Sequence, residues 1–361
     1  MGFDRNKPYN DLPDLPPSLA EIESHAVLKM AIRANKALAE LKVSGRLIPN
    51  QAIIIQALGL SEAKLSSEIE NIVTTNDELY RAFAVENKEL DAATKEVLRY
   101  KDALWFGYNA LSTGKRRLTT NLFIELMQIL KNSTQTIRKI PGTKLVNSKG
   151  ETTYTPPEGE EIIRQKLHQL EKFIHGDHPI DPLIQLALIH YQFEAIHPFL
   201  DGNGRTGRII NILYLIEKGL LEIPLLYLSR YIILHKPEYY SGLRSVTEHN
   251  TWESWILFIL EGLEQTAIVT REKIQAIHRL IQETANEVQT KLPRIYSKDL
   301  IEALFQSPYC KIAFLENFKI AKRQTASLYL QQLEKIGIVD GIKMGRDIYY
   351  VNHSFLKILT S

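Results

Sequence analysis

The sequence predicts a mainly α-helical, multi-domain protein, with strand confined to one hairpin and to the C-terminal region. Three observations carry that expectation. Helix start and stop signals bracket apolar runs, as at Asp181-Pro182 before Leu183 to Ile189, and at Gly219 after Ile209, Ile212, Leu213 and Ile216. Turn residues separate short strand-like runs around Asn147-Ser148-Lys149-Gly150 and around Met344-Gly345-Arg346. A length of 361 residues suits two or three domains sharing a substantial core.

Taken in chain order, residues 1–102 open with a proline-rich arm, Leu12-Pro13-Asp14-Leu15-Pro16-Pro17, ahead of helical stretches. Residues 103–268 hold the hairpin (Thr143 to Val146 and Glu151 to Thr155) and a glycine-rich loop between two helices. Residues 269–296 form a charged helical connector with Pro293 near its break. Residues 297–361 read as helices over 297–306, 311–317 and 322–335, then strands over 338–342 and 347–351. No repeat period or low-complexity tract interrupts this order.

The chemistry concentrates in His197-Pro198-Phe199-Leu200-Asp201-Gly202-Asn203-Gly204-Arg205-Thr206-Gly207-Arg208. A histidine on an exposed loop is a free base near neutral pH and can take a hydroxyl proton. Asp201 offers hard oxygen ligands suited to magnesium. Gly202 and Gly204 let backbone amides turn inward as an anion nest, to which Asn203 can add its side-chain amide. Arg205 and Arg208 carry forks that fit phosphate oxygens in pairs. A helix reading from Arg205 onward would bring phosphate to a helix N-terminus. Phe199 suits packing beneath the loop.

Competing motifs fit less well. Gly202 to Gly207 spells G-x-G-x-x-G, but the dinucleotide fingerprint needs a strand before it, and here a helix reads up to His197. A calcium loop would place oxygen ligands where Arg205 and Ile212 stand. Zinc is disfavoured because His190 and His197 stand seven apart with no cysteine near. A glycine-rich turn with solvent-facing arginines is the structural alternative.

The segment resembles the signature of Fic domains, H-P-F-x-D/E-G-N-G-R-x-x-R, matching every specified position. The resemblance implies a helical Fic core and transfer of AMP from ATP to a protein hydroxyl. By position, His197 would be the general base and Asp201 would hold magnesium or manganese. Gly202, Asn203, Gly204, Arg205, Thr206, Gly207 and Arg208 would cradle the phosphates of ATP, the co-substrate. Upstream, Ser66-Ser67-Glu68-Ile69-Glu70-Asn71 fits the family's inhibitory pattern S/T-x-x-x-E-G/N through Ser66, Glu70 and Asn71. Four apart on a helix, Ser66 could steady Glu70, whose carboxylate would take the Arg208 fork from the γ-phosphate. A plain surface helix is the alternative. The hairpin resembles the Fic flap, which grips a target by strand pairing, against an ordinary surface hairpin. Tyr240 would meet the adenosine by stacking or a hydrogen bond, unless Tyr239 and Tyr240 only pack the core beside Trp252 and Trp255. His175, His178 and His190 are expected to be structural.

The C-terminal region resembles a winged helix. Nine Lys/Arg against six Asp/Glu over 297–361 is thin for DNA, where each phosphate contact needs a cation. Only Lys322, Arg323, Lys343 and Arg346 cluster. A protein-docking or dimerising module, with a second copy as partner, stands at least level with a DNA reader. Lysine and arginine number 44 against 42 acids, so no global field drives the chain onto nucleic acid or lipid. One cysteine, Cys310, excludes an internal disulfide. The start, Met1 to Asn6, reads as neither a secretory nor a myristoylation signal, and no apolar run suits a membrane span, so a cytoplasmic location is expected.

The expectation is therefore an adenylyltransferase restrained by Glu70, acting on Ser, Thr or Tyr of an unidentified protein or of itself. Two rivals are a Fic enzyme that transfers or removes another phosphate-containing group, and a nucleotide-sensing DNA-binding regulator.

Overall fold

A computed structural model describes residues 3–84, 90–114, 116–344 and 347–360. The arm leads to α1 (Leu19–Ile22), α2 (His25–Ser44), α3 (Gln51–Ile69) and α4 (Asn76–Ala84), and then to α5 (Ala92–Ser112) and α6 (Thr120–Lys131). The hairpin β1 (Leu145–Val146) and β2 (Thr152–Tyr154) precedes α7 (Glu160–His175), α8 (Pro182–Ile196) and α9 (Asn203–Glu217). After α10 (Ser229–Leu234) and α11 (Lys236–His249) comes α12 (Trp252–Lys291). The C-terminal region holds α13 (Lys298–Leu304), β3 (Tyr309–Cys310), α14 (Ile312–Asn317), α15 (Arg323–Lys335), β4 (Asp340–Met344), β5 (Asp347–Val351) and α16 (His353–Thr360). Mostly helix, with two small antiparallel sheets, this is the fold class the sequence predicts.

Helix α8 is the axis of the core. Nearly all its residues are buried and most are apolar, so it packs on every side rather than along one stripe. The Asp181 carboxylate accepts from Leu183 N at 2.8 Å, and Pro182 fills the first turn, where no amide is needed. Helices α7, α9, α12 and α2 surround it, and Trp255 of α12, fully buried, donates Nε1–H to the Ala187 carbonyl at 2.8 Å. Helix α12 also lies along α2, held at intervals by Arg33–Glu264 at 2.6 Å and Arg271–Glu40.

The hairpin pairs Leu145 with Tyr154 and Val146 with Thr152, with a register shift between them. The C-terminal sheet runs in the order β3-β5-β4, all antiparallel. Two of its companions escape the sequence reading. Strand β3 has only two residues, too few to show alternation, whereas α16 is capped by Asn352, which accepts from Phe355 N at 2.9 Å. Gly345 and Arg346, at the expected wing tip, lie outside the described residues, as do Met1 and Gly2. The divisions expected at 102/103 and 268/269 fall inside α5 and α12, two helices continuous across them.

The proline-rich arm is fastened to the hairpin side of the core. Tyr9 N donates to Thr155 O at 3.0 Å, Lys166 Nζ to Leu12 O at 2.5 Å, and Gln192 Nε2 to Pro13 O at 2.9 Å. Among the described residues, no helix is long and apolar enough to cross a membrane.

Candidate active site

Helix α8 stops at His197, which adopts the left-handed conformation (φ 48°). The reversal is secured by Arg138, a buried residue to which sequence reading assigns no role. Its Nε donates to His197 O at 2.8 Å and its backbone N to Pro198 O at 2.9 Å, while Nη2 reaches Pro157 O. Nothing in the local pattern marks Arg138, because its partners come from another segment. The His197 ring is half-buried, not exposed as a loop side chain is expected to be. Burial, aided by the Arg138 charge and opposed by Glu70, lowers its pKa to about 4, so the imidazole is a neutral base at physiological pH.

The bend that follows is closed by its own side chains. Asn203 Oδ1 accepts from Phe199 N and Asn203 Nδ2 donates to Phe199 O, both at 2.8 Å, while Phe199 itself is buried against Phe193. The Asn203 amide is thus engaged within the bend instead of adding a donor to an anion nest. Gly202 has φ 83°, a conformation that favours glycine, and α9 begins at Asn203, two residues before the expected start. Its first-turn amides lack intrahelical partners, as at any helix N-terminus.

The two arginines diverge. Arg205 is 1% exposed and turns behind the bend, with Nη1 2.6 Å from Glu96 Oε1 and Nη2 3.7 Å from Asp201. Lys131 joins Glu96 and Asp201, each at 2.6 Å. Burial would raise the Glu96 and Asp201 carboxyls, but Lys131 first and Arg205 next hold both below their ordinary values. Arg208, 2% exposed, turns toward α3. Its Nε donates to Ser66 Oγ at 2.8 Å, and Nη2 to Ser66 O at 2.9 Å and to Glu70 Oε1 at 3.0 Å.

Ser66 therefore serves the guanidinium rather than the Glu70 carboxylate. The cause is where α3 ends: Ile69 is its last residue, Glu70 is the C-cap, and Asn71 reverses the chain at φ 62°. Behind Ser66, Glu62 accepts from Tyr100 OH at 3.0 Å and from Ser229 Oγ at 2.5 Å, and burial pushes its carboxyl up to about 7. Gly204 lets the Glu70 carboxylate come close, since a Cβ there would meet Glu70 Oε1 and make that side chain shift.

Glu70, Asn71, His197, Gly204, Arg208 and Tyr240 line one cavity of about 1050 Å³, whose far wall is the hairpin. The structure does not bring Asp201, Gly202, Asn203, Arg205, Thr206 or Gly207 onto that lining. Tyr239 and Tyr240 separate: Tyr239 is buried, its hydroxyl 2.9 Å from His190 Nε2 and its ring on Trp255, whereas Tyr240 is 47% exposed at the cavity. His175 Nε2 lies 2.7 Å from Leu118 O, and His178 packs on Phe173.

Among the described residues no three metal-ligating side chains gather. Asp201, with a side chain 64% exposed, still fits a magnesium-type ion that takes its other ligands from phosphate and water. At the C-terminal region, Lys322, Arg323 and Lys343 are exposed.

Residues 28–109 match the Fic/DOC family N-terminal domain, 117–215 the Fic/DOC family domain, and 280–355 the C-terminal domain of SoFic-like protein adenylyltransferases. Among similar proteins is a probable protein adenylyltransferase of Aquifex aeolicus, 34% identical over 71 residues, covering 20% of this chain and 22% of the relative. The protein adenylyltransferase Fic of Drosophila erecta is 27% identical over 152 residues, covering 40% of this chain and 29% of the relative. The matched segments thus span less than a third of those relatives. A crystal structure of a Fic family protein from Desulfovibrio desulfuricans superposes with a TM-score of 0.57 at 18% identity, covering 93% of this chain and 98% of the other, a likeness of fold.

Proposed function

Because the chain belongs to the Fic/DOC family, we propose that it is a protein adenylyltransferase that moves AMP from ATP to a Ser, Thr or Tyr hydroxyl, and that Glu70 restrains it. The observation that carries this reading is a neutral histidine and an occupied arginine fork on the same cavity. His197 accepts the proton of the incoming hydroxyl. The hydroxyl oxygen forms a bond to the α-phosphorus as the bond to the bridging oxygen breaks, and pyrophosphate leaves. The α9 N-terminus and Arg208 stabilise the phosphates, and Tyr240 borders the space for adenosine. Asp201 would hold magnesium or manganese, which supplies charge neutralisation when bound.

In the restrained state Glu70 sits on Arg208, where the γ-phosphate belongs in the productive pose. The acceptor is a hydroxyl-bearing protein, or this chain itself, in the cytoplasm, and the hairpin offers strand edges to an extended target segment.

The test uses ATP labelled at its α-phosphate. The Glu70→Gly form should incorporate far more label than the unmodified protein, and His197→Ala in the Glu70→Gly form should lose at least ~10²-fold of it. Equal labelling with and without Glu70 would remove the restraint, and undiminished labelling without His197 would remove the base.

A further inference from the structure

The turn that carries Glu70 is tied down from two directions. Among the described residues, two hydrogen bonds join residues 69–71 to other elements. The Arg208 guanidinium donates to Glu70 Oε1 at 3.0 Å, and the Lys236 ammonium donates to the Ile69 carbonyl at 2.8 Å. Ile69 is the last residue of α3, so its carbonyl is one of those that a helix end leaves without an intrahelical partner. A cation at that point also meets the negative end of the helix dipole.

Lys236 gains nothing from its own helix. It is the first residue of α11, where a cation faces the positive end of the dipole. Its placement serves the end of α3 instead. The support behind it is firm, because Tyr239 of the same first turn is buried, its hydroxyl 2.9 Å from His190 Nε2 and its ring on Trp255. Lys236, Ile69 and Glu70 all line the large cavity.

Resting on the reading of Glu70 as the restraint, we propose that Lys236 is its positioning residue: by holding the Ile69 carbonyl it fixes the peptide joining Ile69 to Glu70 and keeps the carboxylate on Arg208. Helix ends fray unless they are held. Without the ammonium the last turn of α3 loosens, Glu70 leaves Arg208 for more of the time, and the γ-phosphate takes the vacated fork. The open fraction rises about tenfold, the scale of one hydrogen bond to a charged group.

Lys236→Met keeps the apolar stem and removes the donor, and Lys236→Gln stands in for it should methionine unfold the protein, as melting curves would show. With ATP labelled at its α-phosphate, Lys236→Met should incorporate about tenfold more label than the unmodified protein. Lys236→Arg keeps a charged donor and should label as the unmodified protein does. The Glu70→Gly form has no carboxylate left to hold, so adding Lys236→Met to it should change nothing. Hydrogen exchange reads the turn without ATP. Asn71 N donates to Glu68 O and Ile72 N to Ser67 O, both at 3.0 Å, and these amides should exchange severalfold faster in Lys236→Met while α8 stays protected. Unchanged exchange there, or labelling no higher than that of the unmodified protein, overturns the role of Lys236 and leaves Glu70 standing. So does Lys236→Arg labelling as strongly as Lys236→Met, or any change on adding Lys236→Met to Glu70→Gly, since the lysine would then act on nucleotide or fold. If Glu70→Gly itself incorporates no label, the reading of the site falls, and the exchange rates alone decide whether Lys236 holds the turn.

Discussion

His197 combines two properties that the bend around it creates. Its left-handed backbone ends α8, and its half-buried ring stays unprotonated because burial and Arg138 disfavour the cation. The direction fixes an expected profile. The folded pKa is lowered, so the base remains free as pH falls through the usual histidine range, and label transfer by the Glu70→Gly form should stay level down to about pH 6. A half-loss near 6.5, the ordinary histidine value, would mean that solvent reaches the ring freely. Asn203 supports the same bend through two bonds to the Phe199 backbone. Asn203→Ala leaves those buried groups unpaired and should cost about 2–4 kcal/mol, read as a lower melting temperature. At this scale the sequence spelled out which residue types assemble, because glycines, base and fork are adjacent in the chain. It could not tell that Arg205 turns away to Glu96 or that Arg138 clamps the turn, since those partners stand 109 and 59 positions away.

Helix α3 meets the site at its C-terminal end. Arg208 is held by the Ser66 hydroxyl, the Ser66 carbonyl and the Glu70 carboxylate, so the restraint proposed for Glu70 would be part of a three-point grip on one guanidinium. Ser66→Ala removes one point and keeps the carboxylate. It should raise basal labelling several-fold, less than Glu70→Gly does, each hydrogen bond to a charged group contributing about 1.5–3 kcal/mol. Labelling equal to that of the unmodified protein would leave Glu70 as the sole restraint. The four-residue spacing of Ser66 and Glu70 was readable as a shared helix face, yet the helix ends between them and both converge on a third residue. Where a helix stops is set by its surroundings as much as by its sequence, which is why that partnership had to be seen. The hairpin was legible from its turn residues. Its anchorage was not: Tyr154 OH donates to Ala195 O at 2.8 Å, two residues before His197.

Across the molecule, the arm, hairpin and α8 are tied in series. Thr155 takes a bond from Tyr9 N and gives one to Arg5 O at 2.6 Å, and Phe3 stacks on Tyr154 at 5.9 Å. Removal of residues 1–14 should speed hydrogen exchange of the β2 amides while leaving α8 protected, and unchanged β2 exchange would show that the arm only rests on the surface. Composition and periodicity made the helical class legible at this scale. The expected divisions were not visible as breaks, because α5 and α12 run through them and long helices carry one core into the next. The central claim, that this cavity passes AMP from ATP to a hydroxyl, is met most directly by mass spectrometry of proteins incubated with the Glu70→Gly form, ATP and magnesium. The account predicts a hydroxyl side chain carrying the mass of one AMP, absent when His197→Ala is added. An adduct without adenosine, or no adduct at all, would contradict it.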